Sequence, residues 1–317
     1  MAKPTFSPFS QAVVGAMRKL YPEKLADSSF DNTGLLLEAP YRPGHLQNSA
    51  LLTVDLTRAV ADEAIARKDS IIIAYHPIIF RPLKALTQSN TQQSTLLRLA
   101  QEGVSVYSPH TALDAAENGL NDFLVTCLTA EKPTADGNST GLSKVHHDSS
   151  VLTPVKDAPQ GFESAGYGRI VRFHTPQTLG DIIARITFQL KLSCVSVATP
   201  QSIPTEKRNQ IKISSVGICA GSGSMLNGLD VDLLFTGELS HHEALAAIEK
   251  GKCVITTFHS NSERRFLEAR LLDQLNAATK EEVEELGKKG QWEESLTKDF
   301  TIAASKTDRD PFVVAMN

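Results

Sequence analysis

The sequence predicts an α/β protein in two halves, each built around mostly parallel strands. Three observations carry that reading. Apolar runs rich in β-branched residues recur along the chain, and each is followed by a helical pattern. One run, Ser70–Tyr75, is almost purely apolar, the mark of a strand covered on both faces. Between Glu131 and Gly161 the rhythm collapses into Pro, Gly, Ser, Thr and His, and then resumes. Residues 131–162 are therefore read as a linker or irregular crossover between a first α/β half, 1–130, and a second, 163–317.

In order, Ser10–Leu20 reads as an amphipathic helix. Leu51–Asp55 is a strand with a helix, Arg58–Arg67, behind it, and Ser70–Tyr75 is the next strand. Helix Thr95–Glu102 is ended by Gly103, a residue suited to the left-handed position after a helix. Strand Val104–Tyr107 and helix Gly119–Leu128 close the first half. The second half opens with strand Arg169–Phe173 and helix Leu179–Leu190. Strands Cys194–Ala198, Ile211–Ala220 and Val231–Phe235 follow, then helix His241–Lys250 and strand Cys253–Phe258. A long helix from Glu263 to about Ala277 precedes the mixed-charge stretch KEEVEELGKKGQWEE, read as a solvated face.

A length of 317 residues suits two domains, with 41% hydrophobic and 21% charged residues in the balance of a soluble globular chain. Lys and Arg number 32 against 36 Asp and Glu, a net charge of −4, which argues against direct nucleic-acid binding or a polybasic membrane anchor. No apolar run approaches the ~18–20 residues of a membrane span. Cys127, Cys194, Cys219 and Cys253 stand apart in apolar runs and read as buried thiols in a reducing compartment. Lys3, Arg18 and Lys19, with no acid before Glu23, match a mitochondrial presequence weakly, and the same stretch reads better as a first helix. The compartment expected is the cytoplasm, with the mitochondrion as the alternative.

Chemistry concentrates at strand ends. In AYHPIIF, Tyr75 and His76 sit where a buried strand stops, because Pro77 has no N–H to donate. In YSPHTALDA, His110 follows a strand and Asp114 lies four residues on, facing a similar way if Thr111 starts a helical turn. In FHSNSERRFL, His259 ends a strand and Glu263 falls in the first turn of the next helix. Imidazole and carboxylate four residues apart across such a junction suit a zinc-type or iron-type cation, and a carboxylate such as Asp114 or Glu263 can bridge two ions. In open α/β sheets the carboxyl edge of the strands is where ligands bind. Gly221 and Gly223 in CAGSGSML could turn backbone N–H groups towards a ligand, although a tight turn explains them as well. Glu238 and one of the adjacent His241 and His242 are read as supporting or substrate-facing, since neighbours on a helix point ~100° apart. His146 and His147 read as solvated, His45 and His174 as structural.

These motifs together resemble the NIF-three-like family (Ngg-one-interacting factor three), whose bacterial members are often labelled GTP cyclohydrolase type-two homologues. The resemblance runs through FDNTGLLLE at Phe30–Glu38, AYHPIIF, YSPHTALDA, FTGELSHHEAL at Phe235–Leu245, FHSNSERRFL and TDRDPF near the C-terminus. Tyr75, where bacterial members carry a second His before the Pro, points to the eukaryotic branch. The resemblance implies two intertwined α/β repeats with a variable middle segment. It also implies a homo-oligomer, dimer-based and up to a toroidal hexamer, and a dinuclear metal site. Carried over, the ligands are His76, Asp114, His259 and Glu263, with Asp114 and Glu263 as bridges and Tyr75 as a doubtful ligand. A phenol, with pKa near 10, ligates poorly at neutral pH, so one tight ion and a weaker or absent second are expected, of the Zn, Fe or Mn type.

Two functions fit. One is a metal-dependent hydrolase of a nucleotide-like or phosphorylated small molecule, with His110, His241 or His242 as general acid or base. The other is a non-catalytic metal-handling or regulatory protein, a metallochaperone or a partner of transcription cofactors. No P-loop or guanine-reading signature singles out a nucleotide.

Overall fold

The structure is a computed structural model describing residues 6–130, 145–290 and 299–315. Contacts divide the chain into two units: residues 1–113 with 266–309, and residues 114–265 with 310–317. The elements run α1 (Pro8–Leu20), β1 (Gly34–Leu37), β2 (Ser49–Thr53), α2 (Arg58–Arg67), β3 (Ile71–Ala74), α3 (Thr91–Glu102) and β4 (Ser105–Ser108). A short α4 (His110–Ala115) carries the chain into the second unit, with α5 (Leu120–Thr129), β5 (His147–Pro154), β6 (Gly166–Thr178), α6 (Leu179–Leu190) and β7 (Ser196–Ala198). There follow β8 (Lys212–Ser222), β9 (Leu233–Glu238), α7 (His241–Glu249) and β10 (Cys253–Thr256). A short α8 (Asn261–Phe266) leads back to the first unit through a π-helical turn (Leu267–Leu271), α9 (Leu272–Lys288) and β11 (Thr301–Ala304).

The first unit holds a five-stranded sheet in the order β1-β4-β3-β2-β11. Its four strands β4, β3, β2 and β11 are parallel, and β1 adds to β4 antiparallel. Leu51, Ile72 and Val106 face one way and pack with Val60, Ala64, Leu96 and Leu99 of α2 and α3. Their alternates Leu52, Ile71, Ile73 and Tyr107 are equally buried on the other face, which makes β3 apolar throughout. Ser10 of α1 donates from Oγ to the carbonyl of Ser70, and α1 lies along α9. Residues 281–288, expected to be solvated, are thus the end of α9, with Val283 and Leu286 buried.

The second unit holds a six-stranded sheet in the order β5-β6-β8-β9-β10-β7. Its parallel centre, β8, β9 and β10, is flanked by antiparallel strands on both sides. The fold is therefore α/β with two mixed sheets, the first mostly parallel and the second parallel only at its core. Buried Arg169 is tied down by Asp122, 2.5 Å from its Nε, and by the carbonyls of Gly166 and Gly168.

Two expectations need correcting. Residues 147–154, inside the expected linker 131–162, form edge strand β5, whose polar residues tolerate solvent because only β6 pairs with it. Residues 131–144 lie outside the described residues. The boundary itself also moves: the chain leaves the first unit within α4 and returns within α8, so neither crossing coincides with a loop rich in Pro and Gly. Among the described residues no helix is long and apolar enough to cross a membrane.

Candidate metal centre

Parallel strands end on the same side, so each sheet collects the residues just beyond its strands along one edge. In the first unit these are Asp55 after β2, His76 after β3 and His110 after β4. Asp31 joins them because β1, which it precedes, runs antiparallel to β4. His76 is held by continuation of the β2–β3 ladder, its N–H donating to the Val54 carbonyl at 3.0 Å, before Pro77 stops the strand. His76 Nδ1 stands 2.8 Å from Asp55 Oδ1, and His110 Nδ1 stands 2.6 Å from Asp31 Oδ1. A carboxylate only accepts, so in both rings Nδ1 donates, and in the neutral ring the lone pair lies on Nε2.

Asp31 is built to stay ionised. Burial pushes its carboxyl up, but the hydrogen bond and charge of His110, with the hydroxyls of Thr111 and Thr33, outweigh that and bring it to about 2. His110 itself sits at a φ of +31°, outside the ordinary helical range. Tyr75 is buried, its ring 5.0 Å from that of His76 and 5.5 Å from that of His110, centroid to centroid. Its carbonyl accepts the Ser108 hydroxyl at 2.8 Å.

The second unit repeats the scheme with Gly221 near the end of β8, Glu238 ending β9 and His259 after β10. His259 Nδ1 lies 2.8 Å from Glu238 Oε1, and its Nε2 lies 3.4 Å from Oε1 of Glu263, whose side chain is 2% exposed. That separation is what two atoms show when each ligates one zinc-type ion at ~2.0–2.2 Å. The space beside them exists because residue 221 is glycine. A Cβ there would stand 2.8 Å from Glu263 Oε1 and 2.9 Å from His259 Nε2, and its φ of +59° suits glycine. Gly237 also makes room, since a Cβ on it would meet the carbonyls of Gly221 and His259 at 2.5 and 2.7 Å.

Asp114 belongs to the same unit and is partly buried in α4. Asn121 links it to β8, donating from Nδ2 to the Asp114 carbonyl and accepting from Ala220 N–H, each at 3.0 Å. Burial drives the Cys219 thiol far above its usual range, and the neighbouring carboxylates of Asp114 and Glu263 add to the effect.

Other expected residues fall elsewhere. His241 and His242 occupy the first turn of α7, exposed, their rings edge to face 5.3 Å apart. The N–H groups of Gly221 and Gly223 do not await a ligand, for they donate to Ser262 Oγ and the Glu238 carbonyl. The Ser260 hydroxyl donates to Asp310 Oδ2 at 2.6 Å. His146 and His174 are exposed, and His45 Nε2 is 3.7 Å from a Glu102 oxygen. The amino-acid pattern does not reveal Asp31 and Asp55 as orienting groups.

Fold and residues together define a class: an α/β protein presenting carboxylate-oriented histidines, with a buried glutamate, at the carboxyl edges of its parallel strands. The comparison with known proteins agrees and is more specific. The chain belongs to the Duf34/NIF3 (NGG1p interacting factor 3) family, whose pattern matches residues 10–288. It is 46% identical over 253 residues to the NIF3 homolog of Schizosaccharomyces pombe, covering 79% of this chain and 83% of that one. It is 38% identical over 312 residues to NGG1-interacting factor 3 of Saccharomyces cerevisiae, covering 96% of each. Among solved structures, a Bacillus cereus protein related to NIF3 matches with a TM-score of 0.69 at 20% identity, covering 96% of this chain and 98% of that one. A Staphylococcus aureus hypothetical protein matches at 0.70 and 21%, covering 99% and 100%. At such identities the likeness shows the fold alone.

Proposed function

We propose that the protein binds a divalent ion of the zinc, iron or manganese type, with His259 and Glu263 as ligands in the second unit and Asp114 as the candidate bridge to a second ion; His76 is the further ligand that the family resemblance implies. The observation that carries this reading is the arrangement at His259: Nδ1 engaged by Glu238, Nε2 and Glu263 Oε1 3.4 Å apart, and no Cβ at residue 221 to fill the space. The donor set fits the ion, since imidazole nitrogen held from behind by a carboxylate is how histidine ligands are oriented. The phenol of Tyr75 is a poorer ligand than imidazole at neutral pH, so one tight ion and a weaker or absent second are expected.

The reaction class we infer is hydrolysis of a nucleotide-like or phosphorylated small molecule. Such an ion, when bound, supplies Lewis acidity and lowers the pKa of water towards ~7. The chain's own part is proton handling and orientation. Asp31, ionised at neutral pH, fixes the His110 tautomer so that Nε2 can take up a proton and give it back. His241 and His242, exposed on α7, are the candidates for contact with the substrate's far end.

Metal analysis tests this reading. Reconstituted protein is expected to retain about one ion per chain, and Glu263→Ala to lose it together with any turnover of a phosphoester panel. Clearly less than one ion per chain in the unmutated protein overturns the metal site.

A second reading has support of its own. The yeast relative is named as an interacting factor, and Tyr75 offers a phenol where an imidazole would complete a second metal position. In this reading the protein is non-catalytic, a metal-handling or regulatory partner in a homo-oligomer that is dimer-based and up to hexameric. It predicts metal binding without turnover and transfer of the ion to an apo-acceptor. Light scattering measures the oligomer.

A further inference from the structure

We propose that the C-terminal segment Asp310–Phe312 is a positioning latch for His259 and Glu263, an inference that rests on the reading of those two residues as metal ligands. Phe258, immediately before His259, has a φ of +67°, a left-handed conformation that is strained for a non-glycine residue and persists only where surrounding contacts demand it.

Asp310 and Phe312 supply two of those contacts. The Phe312 ring stacks on that of Phe258, with centroids 6.4 Å apart and planes 27° from parallel. Asp310 Oδ2 accepts the Ser260 hydroxyl at 2.6 Å, while Oδ1 accepts the Phe312 N–H at 2.8 Å. One carboxylate thus ties the latch to the residue after His259 and holds in place the ring that covers the residue before it. His259 lies between the two grips.

The hold extends to Glu263. The Ser260 carbonyl accepts the N–H groups of Glu263 at 3.1 Å and Arg264 at 3.0 Å, so the placement of Ser260 sets the first turn of α8. Arg264 Nε adds a bond to the Ser260 hydroxyl at 3.1 Å. Ser260 is 3% exposed, whereas Phe312 is 71% exposed. The contact is therefore buried at the ligand end and open at the latch end, and Phe312 can be removed without opening a core.

The test uses the full chain, cobalt(II) as the probe, and the variants Phe312→Ala, Asp310→Ala and Asp310→Asn. Both alanine variants are expected to weaken cobalt binding ~10–100-fold, as loss of a ligand's supporting partner does, and to alter the visible ligand-field bands. Amide exchange across residues 258–264 of the metal-free protein is expected to quicken in both. Asp310→Asn should retain most of the binding, because its carbonyl accepts the Phe312 N–H and its NH₂ donates to Ser260 Oγ. Unchanged affinity and exchange in both alanine variants overturn the latch. Equal losses in the Asn and Ala variants also overturn it, because charge and not position is then at work. If the unmutated protein binds no cobalt, the metal reading fails. The exchange comparison then decides the latch alone, with faster exchange in both alanine variants supporting it and unchanged exchange overturning it.

Discussion

His76, His110 and His259 each point Nδ1 at a carboxylate, from Asp55, Asp31 and Glu238 respectively. In each case the acid selects the tautomer, and with it the nitrogen left for chemistry. For His110 this yields a prediction that metal binding does not share. Asp31→Asn offers an amide that can stabilise the wrong tautomer, so kcat in a phosphoester assay is expected to fall ~10²-fold or more with KM little changed. The same substitution has a signature in stability. The Asp31 carboxyl is lowered from its ordinary 3.8 to about 2, so in that interval the unfolded chain binds more protons than the folded one. Its contribution is complete above pH ~4 and is lost as pH falls through about 2. Acid titration of unfolding should show the unmutated protein losing its advantage over Asp31→Asn within that window, and parallel curves would refute the assignment. The histidines themselves were legible in the sequence because each ends an apolar, β-branched run. Asp31 and Asp55 were not, because 79 and 21 residues separate them from their partners and only strand order brings them together.

The strands β8, β9 and β10 end at different side-chain sizes, and the small ones decide how close α8 can come. Gly221→Ala places a methyl group against Glu263 Oε1 and His259 Nε2 and forces a left-handed φ on alanine. The backbone term alone costs about 1 kcal/mol. The expected result is a modest fall in Tm with a much larger loss of metal affinity, although no ligand has been replaced. Calorimetry beside a metal titration separates the two, and a fall in Tm with unaltered affinity would count against the site. The sequence alone marked Gly221 as a turn residue, since close approach by a later helix leaves no local trace. Elements buried on both faces, such as β3, were plain for the opposite reason: every residue reports the burial. Strand β5 escaped because one edge partner and a polar face produce a pattern that composition cannot tell from a loop.

At the scale of the whole chain, the first unit is discontinuous, and residues 266–309 return to supply α9 and the sheet edge β11. A chain of residues 1–113 therefore lacks the helix lying along α1 and the strand beside β2. Expressed alone it is expected to stay unfolded by circular dichroism and to regain structure when 266–309 is supplied in trans. Residues 114–265 contain every strand of the second sheet and should fold alone with a cooperative thermal transition. A folded 1–113 fragment would contradict this division. The amino-acid pattern gave no warning of it, because periodicity reads local faces and not which remote segment covers them.

That discontinuity also orders events during synthesis. At ~5–20 residues per second, the ribosome needs roughly 10–30 s to make residues 114–265 after β4 has emerged. For that interval β2 has no β11 beside it, and α1 has no α9. The part of the protein made first, with His76 and His110 on it, is completed last. The nascent chain therefore exposes an apolar strand edge until residues 266–309 arrive.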